Sequence, residues 1–184
     1  QIGQSLRLQT VSLVSQVLGI LVVVFYFYRT LSHELVIGWA VAAVLALWGA
    51  VHFRRRFRSD CNREKHVRRW LRAWMLVAVV SGLVWGFAGS AFLAPKNPID
   101  EVVIVTVIVA IVFASWPVFS CWLPSLTSFT LLALTPMFFG IAAAYGIGQV
   151  FTCLTLIVIT SFVLYSGRRL NEIVVLSVIR NVQN

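Results

Sequence analysis

The sequence predicts an all-α polytopic membrane protein with six transmembrane helices and both termini cytoplasmic. Three observations carry that reading. Of 184 residues, 60% are hydrophobic and 11% charged, against about 25% charged in an ordinary soluble domain. Residues 102–167 contain no Asp, Glu, Lys, Arg or His. As one helix that run would be about 99 Å long, enough for three crossings of a hydrocarbon core about 30 Å thick. Nine of the fifteen basic residues (Arg54, Arg55, Arg56, Arg58, Arg63, Lys65, Arg68, Arg69 and Arg72) fall in one 19-residue window, so the net charge of +9 is unevenly spread.

The first three spans are divided by charge. Residues 8–28, 35–53 and 70–93 are each long enough to cross, separated by Arg29-Thr30-Leu31-Ser32-His33-Glu34 and by the basic window. The run 8–28 is too long for a cleaved signal peptide, and no small-residue cleavage pattern follows it. In the charge-free stretch the breaks come from proline and glycine. Pro117 and Pro124 bracket one, and Tyr145-Gly146-Ile147-Gly148-Gln149 supplies the other, which gives helices over 102–117, 124–144 and 149–166. Nothing after Gly167 breaks a helix, so the sixth span is expected to continue into the cytoplasm. There Val175, Val178 and Val182 have coiled-coil spacing, while Leu170, Val174 and Val178 fit a plain amphipathic face. The expected organisation is a transmembrane domain over 1–167 and the start of a cytoplasmic helix over 168–184. A polar end at Asn184 and the missing initiator Met fit a chain cut between domains.

Orientation follows from the retention of Lys and Arg in cytoplasmic loops, which places the 54–72 segment inside. External turns are then expected at 29–34, 94–101 and 145–149. Arg7 before the first helix and Arg168 and Arg169 after the last agree, and the 94–101 turn is net negative. The basic window lies between two spans and has no nucleic-acid-binding module, so its expected partners are anionic membrane lipids rather than nucleic acid. Trp39, Trp70, Trp74 and Trp116 lie near helix ends, as interfacial anchors do.

No ionisable side chain stands near the middle of any span, which argues against a proton pump or an ion-coupled transporter. A small transporter or channel subunit for an uncharged solute remains as an alternative, without a filter motif or an inverted repeat to support it. Small residues recur every four positions: Gly38, Ala42, Ala46 and Ala50 in the second helix, and Ala78, Gly82, Gly86 and Ser90 in the third. Such faces let backbones approach closely and mark helix packing. The prolines of the fourth and fifth helices remove backbone donors, leaving the Phe113 and Leu132 carbonyls to be satisfied otherwise. Trp116, Phe119 and Trp122, with the hydroxyls of Ser120 and Thr127 nearby, are the candidate lining of a pocket for a small hydrophobic ligand with one polar group. The three cysteines, Cys61, Cys121 and Cys153, form no C-x-x-C pair and read as free thiols. His33, His52 and His66 have no second ligand at a compatible depth, so no metal or haem site is expected. No catalytic set and no cofactor site is encoded.

Arg7-x-Gln9, Trp70-Leu71-Arg72-Ala73-Trp74, Ser81-Gly82-Leu83-Val84-Trp85-Gly86 and Pro95 resemble the membrane input regions of bacterial sensor histidine kinases and of GGDEF or EAL cyclic di-GMP signalling proteins. Trp116-Pro117, Leu123-Pro124 and Leu134-Thr135-Pro136 are similar to that family's proline-marked helices. The tail Arg169-Leu170-Asn171-Glu172 through Arg180-Asn181 looks like its signalling helix. The resemblance implies a sensor domain in the bacterial cytoplasmic (inner) membrane, working as a homodimer through the exit helix. It implies a missing cytoplasmic output domain: a histidine kinase using ATP and a response regulator in a two-component system, or alternatively a diguanylate cyclase or phosphodiesterase.

Overall fold

The computed structural model describes the backbone of residues 2–59, 67–93, 98–120, 122–145 and 150–183. Side chains are described over 12–57, 59, 68–93, 99–120, 122–143, 150–170 and 172. Cys61, Cys121, His66, Pro95 and residues 146–149 lie outside that set, as do the side chains of Arg7, Gln9, Val175, Val178 and Val182. Within it the chain forms six helices: α1 Ile2–Phe27, α2 His33–Ser59, α3 Val67–Ala91, α4 Pro98–Phe119, α5 Leu123–Tyr145 and α6 Val150–Gln183.

Two boundaries depart from the sequence reading for a local reason. Helix α2 continues through the arginines to Ser59, because Arg is a good helix former and its long stem reaches polar surroundings. Helix α4 begins at Pro98 and takes Asp100 and Glu101 into its first turn. Proline is suited to the first helical position, and acids there complement the helix dipole. The two carboxylates expected in an external turn are instead helical and buried, at 0% and 4% exposure. Helix α6 runs as one piece to Gln183.

Five helices contain stretches long and apolar enough to cross a bilayer: His33–Phe57, Arg68–Ala91, Ile99–Phe119, Leu123–Ala143 and Val150–Leu170. In α1 the described apolar stretch is Ser12–Phe27. It runs the length of α4: Ser12 meets Ser115 at one end and Tyr26 meets Asp100 at the other. The contacts are fourteen positions apart on α1 and fifteen on α4, corresponding to about 21 and 22 Å of rise.

Neighbouring registers fix the directions. α2 and α3 are antiparallel, with Trp39 donating to the Val84 carbonyl near one end and Phe53 against Trp70 near the other. α3 and α5 are parallel and form the most extensive pair in the bundle. α4 lies between α1, α3, α5 and α6. The core follows this centre: Ile104, Ile108, Leu126, Phe129, Met137 and Ile141 are fully buried.

The outer surface is apolar. Phe25 is 86% exposed, Phe151 84%, and Trp48 and Val158 66% each. A soluble monomer does not expose a continuous surface of this kind, whereas lipid solvates it at no cost and helices satisfy their own backbone groups. The chain is a multi-pass, all-helical membrane protein.

Candidate functional site

In a bundle poor in charge, buried carboxylates are the groups whose position must be accounted for, because burying one requires compensation. Both described examples are in the first turn of α4, and each reaches a different neighbour. The Tyr26 hydroxyl of α1 donates to Asp100 Oδ1 at 2.9 Å. Glu101 is hydrogen-bonded to the Thr152 hydroxyl of α6. Consecutive helical residues point about 100° apart, so an Asp-Glu pair can tie α4 to two helices on different sides. Together they join the last turn of α1, the first turn of α4 and the first turn of α6 at one membrane face. The adjoining turn is closed by Leu31 N–H bonding to the Phe27 carbonyl at 3.0 Å and by Tyr28 stacked on His33 at 4.4 Å.

Beneath this polar cluster lies an aromatic layer. Trp39 stands edge-on to Trp85 at 5.3 Å and to Phe92 at 5.4 Å, and Phe92 lies 5.3 Å from Phe27. Trp39 is therefore not an interfacial anchor. It is 4% exposed, and its indole N–H donates to the Val84 carbonyl at 2.8 Å. At the opposite end of the α1–α4 pair the buried Ser12 and Ser115 hydroxyls share a hydrogen bond of 3.1 Å.

The residues proposed to line a ligand pocket gather around the α4–α5 turn, but they face different partners. Trp116 packs toward Phe162 of α6 at 6.3 Å, whereas Phe119 lies between Trp74 of α3 at 5.5 Å and Phe129 of α5 at 4.8 Å. Ser120 donates to the Pro117 carbonyl and Thr127 to the Leu123 carbonyl. Ser125 bridges the turn, with the Phe119 carbonyl at 3.1 Å and the Trp122 carbonyl at 2.7 Å. These hydroxyls are thus engaged by nearby backbone carbonyls, of which Phe119 and Trp122 also accept backbone N–H groups, and none is the Phe113 or Leu132 carbonyl that a proline leaves unpaired. Trp122 is half-buried in the same turn. The buried Trp116 indole nitrogen has no acceptor among the described residues.

The two small-residue faces have different surroundings. On α3, a Cβ at Gly82 would come within 2.9 Å of the Phe129 carbonyl oxygen and of Leu132 Cβ, and one at Gly89 within 2.7 Å of Met137 Cβ. Ser90 Cα lies 3.0 Å from the position a Gly140 Cβ would take. On α2, Gly38 has nothing within 4 Å of that position. Gly38 and Ala42 instead line an opening of about 390 Å³ between α2 and α3, bounded by Trp39, Leu83 and Phe87 with Glu34 at its end.

Among the described residues no group of three His, Cys, Asp or Glu side chains could hold a metal ion, and Cys153 is a free thiol. The polar cluster at Tyr26, Asp100, Glu101 and Thr152 was not singled out from sequence. Its signal was present in Pro98-Ile99-Asp100-Glu101, in which proline followed by two acids marks a helix start more strongly than a loop. No protein-family model, no curated protein and no solved structure matches this chain.

Proposed function

We propose that the chain is the transmembrane sensory input domain of a bacterial sensor histidine kinase, lying in the cytoplasmic membrane with both termini inside. The observation that carries this reading is the continuity of α6 over 34 residues. Such a helix is about 51 Å long, against a hydrocarbon core of about 30 Å, so the crossing segment and its extension move as one body. Near the exit, the Arg169 guanidinium lies over the Tyr165 ring at 5.9 Å, consistent with a basic side chain reaching toward the interface. At the other end α6 is tied to α4 through Thr152 and Glu101.

In this reading a membrane-borne or small-molecule signal favours one of two helix packings. The bias equals the difference in its affinity for the two. The Trp116 indole N–H, which lies toward Gly167 of α6, supports a ligand with one polar acceptor on that side of the bundle. Phe119, Trp122, Ser120 and Thr127 belong to the same proposed lining only if the ligand also displaces the hydroxyls from the carbonyls they hold. The output is a kinase that uses ATP and passes its phosphoryl group to a response regulator; an input domain of a diguanylate cyclase or phosphodiesterase would use the same lever.

Single cysteines at Val175, Val178 and Val182, in a chain otherwise free of cysteine, test the lever in native membranes. Efficient disulfides between subunits are expected at one face. Their absence at all three positions would overturn the dimeric lever, and uptake of an uncharged solute by vesicles containing this chain alone would favour a carrier.

A further inference from the structure

The most strongly charged surface of the bundle is where α2 ends and α3 begins. Arg55 and Arg56 on α2 and Arg68, Arg69 and Arg72 on α3 are exposed. Ring contacts across the hairpin hold the two rows at one level: Phe53 lies 5.4 Å from both Trp70 and Trp74, and Phe57 lies 5.3 Å from Trp70. The described part of α3 carries no acid, and the one acid of α2, Glu34, is in its first turn at the opposite end. Asp60 and Glu64 belong to the connection outside the described residues, against nine basic residues between 54 and 72.

An orientation signal requires only a count of basic residues on one side. Here the count is joined to geometry, because two arginine-bearing helix ends are clamped by an aromatic cluster. Guanidinium groups pair with phosphate through two parallel hydrogen bonds, and tryptophan rings settle at headgroup level. Basic clusters between transmembrane helices at a membrane surface suit multiply charged headgroups. We propose that the end of the α2–α3 hairpin binds a phospholipid headgroup carrying two phosphates, one facing the α2 arginines and the other the α3 arginines, with Trp70 between them. This site stands independently of the signalling function.

The test uses the whole chain in phosphatidylcholine nanodiscs containing either diphosphatidylglycerol or phosphatidylglycerol at equal total phosphate charge, with retained lipid counted by native mass spectrometry. A basic residue near an anionic surface is worth about a fivefold change in partitioning, so retention of the two-phosphate lipid should exceed that of the one-phosphate lipid by about fivefold or more. Arg55→Gln with Arg56→Gln, and separately Arg68→Gln with Arg69→Gln and Arg72→Gln, should bring the two lipids to parity. Arg168→Gln with Arg169→Gln should leave the preference unchanged. Circular dichroism checks that each variant is folded; where a multiple variant is not, Arg56→Gln and Arg69→Gln singly should each reduce the ratio. Equal retention of the two lipids by the unmodified chain, or a preference that survives both arginine sets, would overturn the site.

Discussion

The Leu132 carbonyl oxygen of α5 lies against the Cα of Gly86 on α3, so close that a Cβ at position 86 would overlap it and come within 3.0 Å of Pro136 Cγ. Proline at 136 removes the N–H that would have met that carbonyl along the helix. In hydrocarbon a freed carbonyl needs a substitute, and the Cα hydrogens of Gly86 face it, a weak but recurring contact at helix interfaces. The small-residue face of α3 and the proline of α5 are thus two halves of one packing arrangement. Neither explains the close approach alone.

Gly86→Ile should therefore destabilise the bundle by about 3 kcal/mol or more, since overpacking against backbone exceeds the usual range of about 1–3 kcal/mol for a core that can yield. Gly82→Ile should behave similarly. Gly38→Ala, placed where no atom stands within 4 Å, should stabilise by about 0.5–1 kcal/mol through helix propensity. Thermal unfolding in detergent measures all three. Equal effects at Gly38 and Gly86 would show that spacing alone, and not the α5 backbone, sets the cost.

That contrast also marks what the sequence made legible. Hydropathy, the basic window and the Pro and Gly breaks located six helices, with the start of α1 at Ile2 and the end of α2 at Ser59 lying outside the apolar runs, because length and apolarity are properties of each segment by itself. Gly38-x-x-x-Ala42 and Gly82-x-x-x-Gly86 have the same spacing and different surroundings, since spacing names a face without naming what covers it. Trp39 was misread as an anchor for the same reason: proximity to a helix end does not say whether the ring turns toward lipid or toward Trp85. Ser120 and Thr127 were visible as hydroxyls near proline. Each hydroxyl bonds to a carbonyl three or four positions back, a local bond that composition and spacing do not distinguish from a hydroxyl turned into a pocket.

Asp100 and Tyr26 act as a unit across 74 positions of sequence. Tyr26→Phe and Asp100→Ala should each lower the melting temperature, and the double variant should fall less than the sum of the two, because either substitution alone already removes the shared hydrogen bond. Additive losses would indicate that the 2.9 Å contact contributes nothing specific to the joining of α1 and α4.

Trp39 and Trp48 are two helical turns or so apart on α2 and differ in environment. Trp39→Ala should cost about 3–5 kcal/mol, as a large buried ring leaves a cavity and its bond to the Val84 carbonyl is lost. Trp48→Ala should stay within about 0.5 kcal/mol, since that ring is 66% exposed and faces lipid apart from its stacking on His52 at 5.5 Å. Comparable losses at both positions would mean that α2 buries a different face.

The antiparallel register of α1 on α4 can be tested without reference to stability. The Ser12 and Ser115 hydroxyl oxygens are 3.1 Å apart, so the two side chains point at each other across the helix pair, as the two cysteines of a disulfide must. Replacing both by cysteine, in a chain whose own Cys61, Cys121 and Cys153 are changed to serine, should give a rapid intramolecular cross-link on mild oxidation in membranes. Moving one cysteine along the helix to position 13 or 114 rotates it by about 100° away from its partner, and the cross-link should be lost. Fast closure from the shifted positions with none from 12 and 115 would require α1 to sit on α4 in another register, and would separate Tyr26 from Asp100 at the far end as well.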